Sequence, residues 1–250
     1  VYIACSSLCF SHYPLEKALR TIHELHFAKV DLALHAAGPH INLAELTADS
    51  NRIAQILRIS NMAFAAFHLD FRLDDQNEAD REMLRAICRL GRILTVPLVT
   101  IPAAPFGSDL DSETRRLTHL TRLAEAEGTI LTVETHSETV TADPAGALEL
   151  CRRVPGLGLT LDPTHYLIGP HRTDQYDDLY AHVRHVRLRD SRPDHFQMRV
   201  GQGEIEYGKI LNQLTRHRYE RAVSVDIHDD VTAANEPEVR KLKYLLDSMI

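Results

Sequence analysis

A chain of 250 residues, 44% hydrophobic and 25% charged, holds enough apolar material for one large domain or two small ones and has the composition of an ordinary globular protein. Its net charge of −7 argues against a nucleic-acid polyanion as the main partner, and no apolar run approaches the ~20 residues of a membrane span. Cys5, Cys9, Cys88 and Cys151 form no CxxC pair, so buried free thiols in a reducing compartment are expected. The opening VYIACSS lacks the basic flank of a signal peptide and reads as a first strand, which makes a cytoplasmic protein of enzyme size the default expectation.

Short β-like runs then recur along the chain: Tyr2 to Ser6, Lys29 to His35, Met62 to Asp70, Leu98 to Pro102, Thr129 to His136, Leu157 to Asp162, His182 to Asp190 and Arg221 to His228. Helical periodicity fills the gaps over Pro14 to Leu25, Asn42 to Ile59, Glu78 to Ile93, Ser112 to Glu127 and Tyr207 to His217. The strand ends fall roughly 30 residues apart, the length of one βα unit, and eight such units make a (β/α)8 TIM barrel. No Gly/Ser linker or composition shift divides the chain, so a single domain over residues 1–250 is expected. An open doubly wound sheet would carry a Gly-rich phosphate loop, and neither GxGxxG nor GxxxxGKS occurs.

Gly128 to His165 is the most informative stretch, a strand–loop–helix–strand unit. Asp143 suits a helix N-cap, Pro144 the first turn, and Pro155-Gly156 the helix end. Each strand ends in an acid, Glu134 in LTVETH and Asp162 in LTLDPTH, which places both carboxylates on the rim where parallel α/β folds carry chemistry. Alternation extends the pattern. Leu131 and Val133 oppose Thr132, Glu134 and His136; Val186 and Leu188 oppose His185, Arg187 and Arg189. Val223, Val225 and Ile227 oppose Ser224, Asp226 and His228, and Phe67 and Leu69 oppose His68 and Asp70. The apolar set must meet the outer helices, so the polar set points inward or onto the rim and builds a polar pocket. Three converging carboxylates, Glu134, Asp162 and Asp226, repel one another unless a cation balances them. A divalent metal is one answer, Mg²⁺ or Mn²⁺ for oxygen ligands and Mn²⁺, Zn²⁺ or Co²⁺ with added imidazole. An ion-pair network around Arg187 is the other.

The order ETH, LDPTH, a VxLxD strand, GQGEIEYGKIL and SVDIHD resembles the xylose-isomerase-like barrels, which include sugar-phosphate isomerases and epimerases, hydroxypyruvate isomerase and endonuclease IV relatives. The likeness runs over nearly the whole chain, from VDLAL with its Asp31 onward. It implies a divalent metal on Glu134 and Asp162, with His165 touching substrate or metal. At the strand-seven and strand-eight positions, where such proteins carry His and Glu, this chain has Arg187 and Asp226. A guanidinium stays protonated and cannot ligate a cation. Three arrangements follow: Arg187 swings toward a substrate phosphate or carboxylate, His185 substitutes as ligand, or Arg187 occupies the metal's place.

The resemblance implies proton abstraction next to the carbonyl of a small sugar-like or hydroxy-carbonyl substrate, with Glu134 and Asp226 as the acid–base pair on two faces of it. His35, His68, His136, His165, Arg187 and Gln197 are the expected substrate contacts, the last from the loop SRPDHFQMRVGQGE, which also carries Arg199. The alternatives are a metal-free barrel that binds a sugar-like or acidic ligand without this chemistry and an endonuclease IV-like phosphodiesterase with several zinc ions. His23, His26, His119 and His217, Arg115-Arg116 and Arg152-Arg153 read as helix-surface residues, and Asp49 to Arg52 and Asp229-Asp230 as caps and turns. Barrels of this kind often pair, so a homo-oligomer is a possible partner state.

Overall fold

Eight short strands close on themselves. In the computed structural model, described for residues 1–173, 175–228 and 235–250, they are β1 (Tyr2–Ser6), β2 (Lys29–Ala33), β3 (Ala63–His68), β4 (Leu98–Ile101), β5 (Ile130–Glu134), β6 (Gly158–Leu161), β7 (Val183–Leu188) and β10 (Ala222–Val225). The hydrogen-bonded order is β1-β10-β7-β6-β5-β4-β3-β2, parallel throughout and closed by the β1–β2 pair, so the chain is a (β/α)8 TIM barrel. Every expected strand is present. Several stop one to three residues earlier than the hydrophobic pattern suggests, which leaves His35, Asp70, Asp162 and Asp226 just past the strand ends on the C-terminal rim.

The helices follow the strands: α1 (Leu15–Glu24), α2 (Leu43–Ala48), α3 (Ser50–Ile59), α4 (Glu78–Leu94), α5 (Leu110–Ala126), α6 (Pro144–Arg153), α7 (Pro163–Ile168), α8 (Tyr207–Arg216) and α9 (Glu236–Asp247). Side-chain caps set many of their starts: Asn42, Asp49, Asn77, Asp109, Asp143 and Asp162 each accept from backbone N–H groups of the first turn. Asp49 also accounts for a departure from expectation. The periodic run from Asn42 to Ile59 is two helices, because Asp49 adopts φ −151°, ψ 86° and its carboxylate opens a new helix by accepting from Arg52 N–H at 3.0 Å. The loop expected after the seventh strand likewise contains a hairpin, β8 (Asp190–Arg192) with β9 (His195–Met198). Asp229-Asp230 lies outside the described residues.

The outward strand residues, among them Leu131, Val133, Val186, Leu188, Val223 and Val225, join the buried faces of the helices in one apolar layer. The barrel interior is polar. Thr100, Thr132 and Thr160 bond one another at 2.8 to 3.0 Å across three adjacent strands, and Asp31, His185, Arg187 and Glu134 are buried with them or just above. Threonine hydroxyls and the Glu134–Arg187 ion pair fill this part of the barrel in place of the branched aliphatics usual there. All four cysteines are buried and free, and burial pushes the thiol of Cys88 up to about 11 and that of Cys151 to about 12. Among the described residues no helix is long and apolar enough to cross a membrane.

One surface assignment needs correcting. Arg116 is not a helix-surface charge: it is 3% exposed and bonds Glu113, Leu73 C=O and Pro102 C=O from inside the α5 face. A helical periodicity places it on the buried stripe, and its partners reach it only because the loops after β3 and β4 fold over α5.

Candidate functional site

The C-terminal mouth of the barrel opens into a cavity of about 490 Å³, a size suited to a small ligand. Six of the expected side chains line it: His35, His68, Glu134, His136, His165 and Arg187. Their chemistry begins at Glu134, the last residue of β5. Its Oε1 accepts from Arg187 Nη1 at 3.0 Å and its Oε2 faces His68 Nε2 at 3.3 Å. Burial opposes its charged form, but His68 and Arg187 outweigh that and hold the carboxyl well below the usual carboxylate range.

From Glu134 a row of groups runs outward to the rim. His68 Nδ1 shares a 3.0 Å hydrogen bond with His35 Nε2, and His35 Nδ1 lies 3.5 Å from the half-exposed Asp70, which also accepts from Ala36 N–H. Burial, then the neighbouring His68, lowers the pKa of His35 to about 4. On the β5–β6 side an aromatic row forms the other wall: His136 on His165 (4.0 Å between centroids), His165 on Phe196 (5.4 Å) and Phe196 on His228 (5.2 Å). His165 Nδ1 faces both the amide N–H and the hydroxyl of Ser137, and burial depresses the imidazole pKa to about 4, so the ring is neutral near pH 7.

The floor is where the sequence expectation and the structure meet most sharply. Asp162 and Asp226 do converge with Glu134, but two guanidinium groups stand among them. Arg187 Nη2 donates to Asp226 Oδ1 at 2.9 Å, while Arg189 donates to Asp162 Oδ2 at 2.7 Å and makes a very short bond to Asp226 Oδ2. Arg189 Nε also donates to the Asp226 carbonyl at 2.8 Å, and its guanidinium lies 4.4 Å over the Phe196 ring. Asp162 Oδ1 is taken by Thr164 N–H at 3.0 Å, the N-cap bond of α7. Burial disfavours the Asp226 carboxylate, yet Arg187 and Arg189 hold its pKa far below the ordinary value. Asp162 and Asp226 are fully buried behind the guanidinium pair and do not line the cavity.

His185 lies one layer deeper, with Nε2 at 2.9 Å from Asp31 Oδ2, and is not turned toward the three acids. Burial works against the Asp31 carboxylate, but His185 lowers its pKa overall. Gln197 uses both ends of its amide on the backbone of His228, donating to the carbonyl at 3.0 Å and accepting from the N–H at 2.6 Å, and stays off the cavity wall. It braces β9 against the segment after β10.

The donor set as it stands does not fit a divalent cation. All six oxygens of Glu134, Asp162 and Asp226 already face nitrogen partners, and the charge between them is supplied by two side chains that cannot ligate. Among the described residues no group of three or more His, Cys, Asp or Glu is arranged to hold a metal ion.

Arg189, Asp70, Phe196 and His228 also line the cavity, although none was named as a substrate contact. For Arg189, Asp70 and His228 a signal existed, since strand alternation puts each on the polar face. Phe196 had none, because its place depends on how the β8–β9 hairpin folds over the mouth.

A family model for the xylose isomerase-like TIM barrel matches residues 19–248. Among solved structures, the probable 3-DHS dehydratase AsbF involved in petrobactin synthesis from Bacillus anthracis superposes with a TM-score of 0.77 at 14% identity, covering 99% of each chain. A D-allulose 3-epimerase from Methylomonas sp. in complex with D-allulose gives 0.76 at 13% identity over 100% of this chain and 97% of that one. A xylose isomerase-like TIM barrel protein from Mycobacterium smegmatis in complex with magnesium gives 0.75 at 17%, over 100% and 98%. At these identities the likeness is one of fold, and among curated proteins none matches this sequence significantly. With 230 of its 250 residues inside the family match, the chain belongs to the xylose isomerase-like TIM barrel family.

Proposed function

We propose that the protein is a sugar isomerase/epimerase-like enzyme that abstracts the proton next to the carbonyl of a small polyhydroxy substrate, with Glu134 as the base. One observation carries the reading: a buried carboxylate at the bottom of a polar cavity, paired with a guanidinium that faces the same space. In the resting site His68 and Arg187 together suppress the basicity of Glu134. A substrate carbonyl oxygen that takes over the Arg187 Nη1 donor releases Glu134 Oε1 from its pair, so binding itself raises the basicity of the carboxylate. Glu134 then accepts the proton from the adjacent carbon. The C–H electron pair becomes the carbon–carbon double bond of an enediolate, and the new charge on oxygen rests on Arg187, a fixed cation that needs no reorganisation. The hydroxyl proton of the adjacent carbon passes to the former carbonyl oxygen, and Glu134 returns its proton to the former carbonyl carbon, which leaves the C=O on the adjacent carbon and Glu134 ionised again. His35, whose Nδ1 has only the 3.5 Å contact to Asp70, offers a hydrogen bond to a substrate hydroxyl, and Phe196 offers an apolar face to a ring or chain.

Asp226 in this reading holds Arg187 and Arg189 in place and does not touch substrate, because the guanidinium groups stand between it and the cavity. A single base favours moving a proton between adjacent carbons over a two-sided epimerisation. The similar fold of an enzyme solved with D-allulose supports ketoses as the first probes. A second reading, a sugar-binding barrel without turnover, draws on the completeness of the Glu134–Arg187 pair. The two separate in deuterated water. Incubation with a panel of ketoses and aldoses, read by loss of the α-proton NMR signal, is expected to show exchange with wild type and none with Glu134→Gln. Saturable sugar binding with no exchange for any member of the panel would establish the second reading.

A further inference from the structure

We propose that Arg187 and Arg189 are the permanent cations of the barrel floor and that Glu134, Asp162 and Asp226 therefore bind no divalent metal. The inference goes beyond the isomerase reading and does not depend on it, since it concerns what neutralises the three acids and not what reacts above them.

The accounting is complete at the level of atoms. Glu134 Oε1 is held by Arg187 and Oε2 faces His68; Asp226 Oδ1 is held by Arg187 and Oδ2 by Arg189; Asp162 Oδ2 is held by Arg189 and Oδ1 by the Thr164 amide. A cation entering this cluster must displace at least one guanidinium, because like charges do not share the same carboxylates in a buried site. Neither arginine is free to leave. Arg189 spends its Nε on the Asp226 carbonyl, bridges two acids through Nη1 and Nη2, and is covered by the Phe196 ring. Arg187 bridges Glu134 and Asp226, lies 3.5 Å from Asp31 through Nε, and reaches Ser6 Oγ at 3.4 Å. Both are at least 98% buried, so moving either exposes a guanidinium to a low-dielectric interior without its partners. A guanidinium also keeps its proton at every pH at which the protein folds, so no pH shift empties the place for a metal.

Among the described residues the imidazoles beside the acids offer no second site. His185 is committed to Asp31, His68 to His35 and Glu134, and His165 Nε2 is 3.9 Å from Asp162 Oδ2 with Arg189 already on that oxygen.

Metal content and metal-dependent melting test this without any activity assay. Wild-type protein purified without chelator is expected to carry only substoichiometric Mg, Mn, Zn and Co by mass spectrometry of the elements, and its Tm is expected to stay flat on titration with Mg²⁺, Mn²⁺, Zn²⁺ or Co²⁺. A site filled at 100 times its Kd would raise Tm by roughly 5–10 °C for a chain of this size. One ion per chain, or a saturable rise of that size in wild type, overturns the proposal. The double variant Arg187→His/Arg189→Gln removes both guanidinium groups, leaves the acids, and is expected to melt lower and to recover by at least that shift when Mn²⁺ or Zn²⁺ is added. A folded double variant that ignores the ions would overturn the claim that the arginines are what excludes them. Should the double variant not fold, the wild-type titration decides alone. An inactive protein with flat wild-type melting leaves this proposal standing and sinks the isomerase reading, so the two fail separately.

Discussion

Two buried ion networks in this barrel look alike in composition and differ in where their donors go. Outside the strands, Glu113 and Arg116 of α5 pair through two bonds of 2.6 and 2.7 Å, and most of their remaining capacity is spent on backbone: Arg116 on the carbonyls of Leu73 and Pro102, Glu113 on the amide of Ala104, with Arg72 Nη2 at 3.3 Å from Glu113 Oε2 as a further side-chain partner. Inside the strands, Arg187 and Arg189 spend theirs almost entirely on side-chain carboxylates, and Arg187 faces a cavity. A network tied mainly to main chain fixes the path of loops. One tied to side chains, beside a void, holds charge that a ligand can redistribute. Even its loose ends differ: Arg187 Nε and Asp31 Oδ1 lack hydrogen-bond partners, whereas no side-chain polar atom of Glu113 or Arg116 does.

The largest expected effect on folding comes from breaking the outer network. Arg116→Leu leaves Glu113 charged and buried and is expected to cost about 3–5 kcal/mol in urea unfolding, with proton exchange on sugars retained by the folded fraction. A loss under ~1 kcal/mol would show that the two networks are not the structural and functional pair described here. Glu134→Gln sharpens the contrast from the other side. It is expected to lower exchange by about 10²–10⁴-fold, the usual contribution of a positioned acid or base, while Asp226 and Asp31 keep Arg187 balanced and the fold intact. Wild-type-like exchange in that variant would move the chemical centre away from Glu134.

A smaller effect concerns pH. His35 and His165 have folded pKa values of about 4 against an ordinary 6.5, chiefly through burial. Between those values the unfolded chain takes up protons that the folded one refuses, so stability is expected to fall as pH drops from about 6.5 toward 4. The Tm measured across that window should decline, and His165→Asn should flatten part of the decline. A level Tm profile in wild type would mean that both imidazoles accept protons in place. The smallest effect is expected at the exposed end of the comparison. Arg153 bonds Asp111 at 2.5 Å across the α5–α6 surface, and Arg153→Ala should leave the urea midpoint unchanged within error, because water screens an exposed pair.

Much of the site was legible before any coordinates. Strand alternation puts Glu134, His68, Arg187 and Arg189 on the polar inner face, and LTLDPTH puts Asp162 at a strand end on the rim with His165 three residues on. Other parts were not. Gln197 was expected at the ligand and instead braces His228, because a loop residue's direction is set by the hairpin that carries it. Arg116 was expected at the surface and is buried, because the loop after β3, from the preceding βα unit, and the β4–α5 loop fold over it. The split of the Asn42–Ile59 helix was available in principle, since Asp-Ser at positions 49 and 50 is a capping signal inside a periodic run.

The sequence alone determined the periodicities, and with them the eight βα units, the apolar shell and the set of polar residues that had to face inward. Local pattern suffices there, because a strand has two faces and a helix has one stripe to bury. Only the tertiary structure decided which acid meets which cation. Arg187 and Arg189 follow β6 and precede β10 in the ring, and the register of β10 with β7 brings Asp226 to both while β6 brings Asp162 to Arg189 alone. Those contacts join residues 27 to 53 positions apart in sequence, so they depend on barrel closure, and closure is what turned three repelling carboxylates into a floor with its own cations.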